Sequence, residues 1–125
     1  MDKEKTNTSF IEWMEKAKQD LDVSRDSLKS NNLGWATFQI QQSAEKALKS
    51  VLIKRESRLV KNHDLVYLGN MLNLPKNYLD HCKEISQFYV VNRYPDIPEI
   101  NLTKERVEEY LSWAKEVLEW CEKQI

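Results

Sequence analysis

The sequence predicts an all-α domain: an up-and-down antiparallel bundle of about five helices, four long and one short, forming one domain over residues 1–125. Three observations lead there. Glycine occurs twice and proline three times, too few for the turns of a β-sandwich or barrel. Apolar residues recur at spacings of three, four and seven, the period of helices with one buried face. A chain of 125 residues, 41% hydrophobic and 31% charged, suits one core facing water and excludes wholesale disorder.

The first helix is expected to start at the capping box Ser9-Phe10-Ile11-Glu12, whose side chains can satisfy free amides. Phe10, Trp13, Met14, Ala17, Leu21 and Leu28 carry its stripe to about residue 30, where Ser30-Asn31-Asn32 breaks it. A second helix follows from about Gly34 to Arg55. Ala36, Phe38, Ile40, Ala44, Ala47, Leu48, Val51 and Leu52 spread over an apolar arc of roughly 200° at 100° per residue. One neighbour cannot cover so wide an arc, so this helix is expected at the centre, with its alanines admitting close partners.

Glu56 to Asn62 reads as a polar connection and Asp64 to Asn73 as a short helix with Leu65, Leu68, Met71 and Leu72 inward. Pro75 suits a first helical position. Leu79, Cys82, Ile85, Phe88 and Tyr89 form the next stripe, ending near Val91. Pro95 and Pro98 make Arg93 to Leu102 an irregular loop. Thr103 can cap the last helix, striped by Val107, Tyr110, Leu111, Ala114, Val117, Leu118 and Cys121. Trp113 and Trp120 flank that stripe; they either cap the core or form an aromatic strip at a dimer interface, where tryptophan is enriched.

The formal net charge of −1 argues against a polybasic nucleic-acid binder while allowing a local basic patch. Two glycines leave no Gly-rich phosphate loop. Cys82 and Cys121 have no zinc-ligand or redox spacing, so neither a metal site nor a disulfide is expected, and no cofactor is implied. The charged start Met1 to Lys5, with no long apolar run after it, points to no signal peptide, no membrane span and a cytoplasmic location.

Four features could carry chemistry. Gln41 falls inside the apolar arc with Glu45 at its edge, so Gln41 is either a satisfied structural amide or faces a cleft. Glu45 and Lys49 read as an ordinary i,i+4 ion pair, worth only tenths of a kcal/mol. Between Lys46 and His63 stand six cations (Lys46, Lys49, Lys54, Arg55, Arg58, Lys61) against Glu56, a local +5; this is either a solvated face or a surface for phosphate. His63 precedes a helix, five residues after Arg58, where it could move a proton or simply donate a hydrogen bond; His81 reads as surface. Last, Arg93-Tyr94-Pro95-Asp96 leaves a helix rigidly, and Arg93 either pairs with an acid or a helix C-terminus or aims its guanidinium at phosphate.

Phe38-Gln-Ile-Gln-Gln-Ser-Ala-Glu-Lys-Ala-Leu-Lys49, His63-Asp64-Leu65 and Arg93-Tyr94-Pro95-Asp96, in that order, resemble the prokaryotic HEPN domains (higher eukaryotes and prokaryotes nucleotide-binding). The opening helix with Ala17-Lys-Gln-Asp20-Leu21 and the closing amphipathic helix extend the resemblance over nearly the whole chain. It implies a helical bundle that forms a homodimer, and a nucleotide- or RNA-binding protein working with a minimal nucleotidyltransferase in a toxin–antitoxin-like module. Many HEPN proteins are metal-independent ribonucleases with an Arg-x(4–6)-His motif, which implies as an alternative that His63 acts with Arg58 or Arg93. A dimeric adaptor without a ligand of its own is the remaining alternative. The residues expected to hold nucleotide or single-stranded RNA are Lys46, Lys49, Arg58, His63, Arg93 and Tyr94. The second and fourth helices, taken to run in the same direction, would bring Arg58, His63, Arg93 and Tyr94 to one pole.

Overall fold

In the computed structural model, residues 3–91 and 101–125 are described, with side chains over 9–89 and 101–125. Five helices follow in order: α1 Lys3–Lys29, α2 Leu33–Glu56, α3 Leu65–Met71, α4 Lys76–Val91 and α5 Lys104–Glu122. The all-α expectation holds. None of these helices is long and apolar enough to cross a membrane.

The chain reverses where backbones can turn left-handed. Asn31 after α1, Ser57 after α2 and Asn73 after α3 all take positive φ, between 55° and 58°. Asparagine tolerates that region because its short side chain adapts locally. At Ser57 the turn lets the N–H reach the Ile53 carbonyl and close the end of α2. Helix starts are equally legible: Asp64 accepts from Val66 N–H, and Thr103 accepts from Arg106 N–H at 3.1 Å. Pro75 sits just ahead of α4, its carbonyl taking the Leu79 amide, one position earlier than expected.

One start differs. α1 begins at Lys3, so Ser9 and Glu12 lie inside the helix and do not open it. No proline or glycine stands before Ser9 to stop the helix from propagating backwards. α2 also reaches far enough to support it, with Lys54 lying 4.6 Å over the Phe10 ring.

α2 is central, packing against all four other helices. Its most extensive packing is with α1, where Ser43 Oγ donates to the Ala17 carbonyl and Ser50 Oγ to the Phe10 carbonyl, each at 2.7 Å. Small buried residues (Ala36, Ser43, Ala47, Ser50) keep that seam narrow. Phe38, expected in the core, is only half-buried and stacks on exposed Trp35 with centroids 5.4 Å apart.

The pairings give the direction of each helix. Ser27 meets Gln39 and Asp20 meets Lys46, so α1 and α2 are antiparallel. Phe88 meets Tyr110 and His81 meets Trp113, so α4 and α5 are antiparallel as well. Arg55, at the end of α2, donates to the Leu72 carbonyl beyond α3 and to Gln124 beyond α5. Thus α2, α3 and α5 end at one pole, and α4 starts there. The expectation that α2 and α4 run the same way is therefore wrong. The cause is the connection after α2. From Glu45 to Ser57 the chain descends twelve residues, about 18 Å of helix. His63 nevertheless stands beside Glu45 at 3.1 Å. Six residues must climb back, and at about 3.3 Å each only an extended course does so. The connection thus takes the place of an upward helix and reverses every element after it.

Trp113 and Trp120 are half-buried and pack against the core, as the first of their two readings has it. Trp113 lies flat on His81 at 4.5 Å and edge-on to Tyr110 at 5.5 Å. His81 is consequently half-buried rather than on the surface, with Nδ1 3.6 Å from a Glu116 oxygen. Cys82 and Cys121 are both free and buried. Burial pushes the Cys82 thiol up to about 12, with the Asp64 charge adding to it. Burial likewise raises Cys121, and neighbouring Cys82 adds to the effect. Only the thiolate reacts, so at pH 8 an aromatic disulfide reagent is expected to label neither cysteine in the folded protein and both after denaturation. Fast labelling before unfolding would contradict this core.

Candidate functional site

The polar edge of α2 is where the unusual chemistry lies. Gln41, Glu45 and Lys49 are spaced four apart and share one face, as any i,i+4 series does. All three are buried, Gln41 completely. The Gln41 amide donates to Glu45 Oε1 at 3.0 Å and to the His63 carbonyl at 3.3 Å, and its oxygen accepts from Gln42 at 2.7 Å. It is therefore the satisfied amide, tying the core helix to the connection.

Glu45 and Lys49 depart from the sequence reading. Their side chains are 5% and 6% exposed, with Lys49 Nζ 3.0 Å from Oε2. This is a buried ion pair and not a surface one, because α1 lies over it: the Trp13 ring centroid is 5.8 Å from the ammonium. A surface pair contributes tenths of a kcal/mol, whereas unpairing one buried charge costs about 3–5 kcal/mol.

His63 completes the cluster. Its Nδ1 lies 3.2 and 3.1 Å from the two Glu45 oxygens. The ring stacks on Tyr89 of α4, with centroids 4.1 Å apart and planes 13° from parallel. The neighbouring residues hold it in place. Asn62 Oδ1 accepts the Asp64 amide at 2.8 Å, Asp64 caps α3, and Leu65 anchors in the core with its amide on Ser86 Oγ at 3.0 Å. The outer edge of the imidazole remains open: the side chain is 50% exposed, and no described residue hydrogen-bonds to Nε2.

That edge borders a shallow cleft of about 470 Å³ between the connection and α4, lined by Asn62, His63, Asp64, Lys83, Ser86, Gln87 and Tyr89. Lys83 is exposed and makes no ion pair among the described residues. A cation, several hydrogen-bonding groups and an aromatic ring thus meet beside an oriented histidine. Among the described residues, no three His, Cys, Asp or Glu side chains gather where a metal ion could sit.

Of the described residues expected to meet here, only His63 lines the cleft. Arg58 is 60% exposed, 3.7 Å from Glu56 and close to the end of α2. It stands at the foot of α2, about three helical turns below Glu45, whereas His63 stands beside Glu45. Lys49 is interior, and Lys46 is paired with Asp20 of α1. Lys54 covers Phe10 and Arg55 closes the lower pole, so the +5 segment is divided among several faces instead of forming one patch. Arg93, Tyr94 and the rest of that motif lie outside the described residues. Sequence reasoning missed Glu45 as the partner of His63, and missed the α4 residues Lys83, Ser86 and Gln87. The polar break in the α2 arc was the available signal for the first.

Comparison with protein families matches the HEPN domain over residues 11–124. The chain belongs to this family. Two solved structures are similar to this HEPN domain over nearly their whole lengths. One is TT1696 from Thermus thermophilus, 27% identical, with a TM-score of 0.83, covering 93% of this chain and 98% of that one. The other is ST0689, an archaeal HEPN homologue, 26% identical, with a TM-score of 0.78 and coverage of 92% and 96%. A search of curated proteins returns no match.

The cluster makes a stability prediction for this HEPN domain. Gln41→Ala leaves the His63 carbonyl and a Glu45 oxygen without their amide donor, at an expected cost of about 1–3 kcal/mol. Lys49→Ala leaves the buried Glu45 carboxylate short of its cation, at about 3–5 kcal/mol. Urea denaturation checks both, and Lys49→Ala should be the more damaging.

Proposed function

We propose that this HEPN protein binds nucleotide or single-stranded RNA in the cleft beside His63. The observation that supports this most is the half-exposed imidazole, held from behind by buried Glu45 and stacked on Tyr89, at the edge of a cleft that also holds Lys83. Lys83 supplies a charge for phosphate, Asn62 and Gln87 supply donors and acceptors, and the aromatic surface suits a base. Membership of a family associated with nucleotides and RNA points the same way. Arg93 and Tyr94 follow α4 directly in sequence and are proposed as further contacts, a guanidinium for phosphate and a ring for stacking.

The reading includes a homodimer and a minimal nucleotidyltransferase partner in a toxin–antitoxin-like module, both drawn from the family resemblance. Homodimerisation is expected to show as a mass near twice 14.9 kDa by light scattering; a monomer at micromolar concentration would remove it. Cleavage of RNA is the second reading, favoured by the fixed orientation of His63 against Glu45. Arg58 is remote within one subunit, so His63 would act there with Arg93 or with Arg58 of a second copy.

Fluorescence anisotropy with a labelled single-stranded RNA tests the proposal. Binding should weaken with salt, as phosphate contacts do, and fall in Lys83→Ala and Arg93→Ala. If both variants bind like the wild type at low salt, the cleft is not the ligand site. Metal-free incubation of the same RNA with wild type and His63→Ala separates the readings: loss of cleavage in the variant supports the nuclease, and intact RNA in both leaves binding alone.

A further inference from the structure

The way Glu45 holds His63 determines what the cleft can recognise. A carboxylate only accepts hydrogen bonds, and both of its oxygens lie within 3.2 Å of Nδ1. The proton of a neutral imidazole therefore sits on Nδ1, and Nε2 faces outward with a lone pair. The backbone reinforces the arrangement, because the Gln41 amide clamps the His63 carbonyl. The Tyr89 ring restrains rotation out of the plane. Beside this acceptor lie Lys83, a cation, and Ser86, whose oxygen is already taken by the Leu65 amide.

We propose that Glu45 is the positioning residue of the cleft, and that through it His63 Nε2 accepts a hydrogen bond from a ribose 2′-hydroxyl while Lys83 meets the adjoining phosphate. The site thus selects ribo- over deoxyribonucleotides. This rests on the binding proposed above. A bare Nε2 lone pair repels phosphate oxygen but suits a hydroxyl, which is both donor and acceptor and is the group that distinguishes RNA from DNA. His63 is then a reader of sugar rather than a ligand of phosphate, and the anion falls to Lys83.

In Glu45→Gln the positions are exchanged. Lys49 retains the oxygen on its side, and the new NH₂ takes the Oε1 side. There it donates to Nδ1 once the Gln41 amide, a donor there in the wild type, turns its oxygen inward. The proton moves to Nε2, and the cleft faces the sugar with a donor.

The test compares an RNA and a DNA oligonucleotide of the same sequence, with a long-range proton–nitrogen NMR spectrum of His63 at alkaline pH as the second readout. The wild type should show the proton on Nδ1 and bind RNA about three- to tenfold more tightly, the range one net hydrogen bond supplies. Glu45→Gln should move the proton to Nε2 and bring the ratio close to one. Should that variant unfold, Glu45→Met with Lys49→Met removes both buried charges together, leaves no unpaired ion and is expected to abolish the preference in a folded protein. A wild-type proton on Nε2, or a ratio unchanged in either folded variant, overturns the proposal. Equal binding of RNA and DNA by the wild type overturns it and leaves the binding site standing. Absence of binding to either overturns both.

Discussion

The buried carboxylate of Glu45 is the constraint on which the rest depends. It stands inside a helical bundle, where an unpaired charge is costly, and it is satisfied by three donors: the Gln41 amide, the Lys49 ammonium and the His63 ring. Two of these come from its own helix at i−4 and i+4. The third arrives from a connection eighteen residues away, and it ties that connection to the core. Lys49 is likewise explained by Glu45. A lysine with 6% exposure under Trp13 has no reason to be interior except its partner.

The topology follows. Because the connection climbs from Ser57 back to Glu45, α3 descends beside α2 and α4 ascends again. The end of α4 then arrives at His63, where Tyr89 stacks on the imidazole. Had the connection been a short turn at the lower pole, α4 would have ended opposite, and the cleft between residues 62–64 and α4 could not exist. α3 and the start of α4 pack closely at Gly69: a Cβ there would lie 2.8 Å from a Leu79 methyl and 3.1 Å from one of Leu74, so those side-chain ends would have to shift. The cleft thus arises from a long loop that is anchored at its far end by one acid and closed by one short helix.

Charge shows the same principle from the other side. The basic run from Lys46 to His63 is a feature of the one-dimensional chain, and folding dissolves it. Lys46, Lys49, Lys54, Arg55 and Arg58 leave in several directions, toward an acid, a ring or a carbonyl in turn. Lys83, isolated in sequence between Cys82 and Glu84, is the cation among the described residues that lines the cleft. Density of charge in sequence and density of charge at a site are different quantities, because a helix spreads consecutive residues around its whole circumference.

The sequence by itself determined the local structure. Helical period, the Thr103 cap, the centrality of α2 and the anomaly of Gln41 are all consequences of spacing within a few residues, and each is present as read. The Ser9 box shows the limit even here, because a capping pattern offers a start that a helix takes only if nothing upstream continues it. Tertiary structure alone decided the direction of α4, the burial of the Glu45–Lys49 pair, the partnership of Glu45 with His63 and the membership of the cleft. Each of these depends on how far an irregular segment travels and what then lies over it. Residues 57–64 carry no periodic signal, so nothing in them announces that they return beside α2 as far as Glu45. Only the bonds from Glu45 and Gln41 to His63, formed once the chain has returned, place them there.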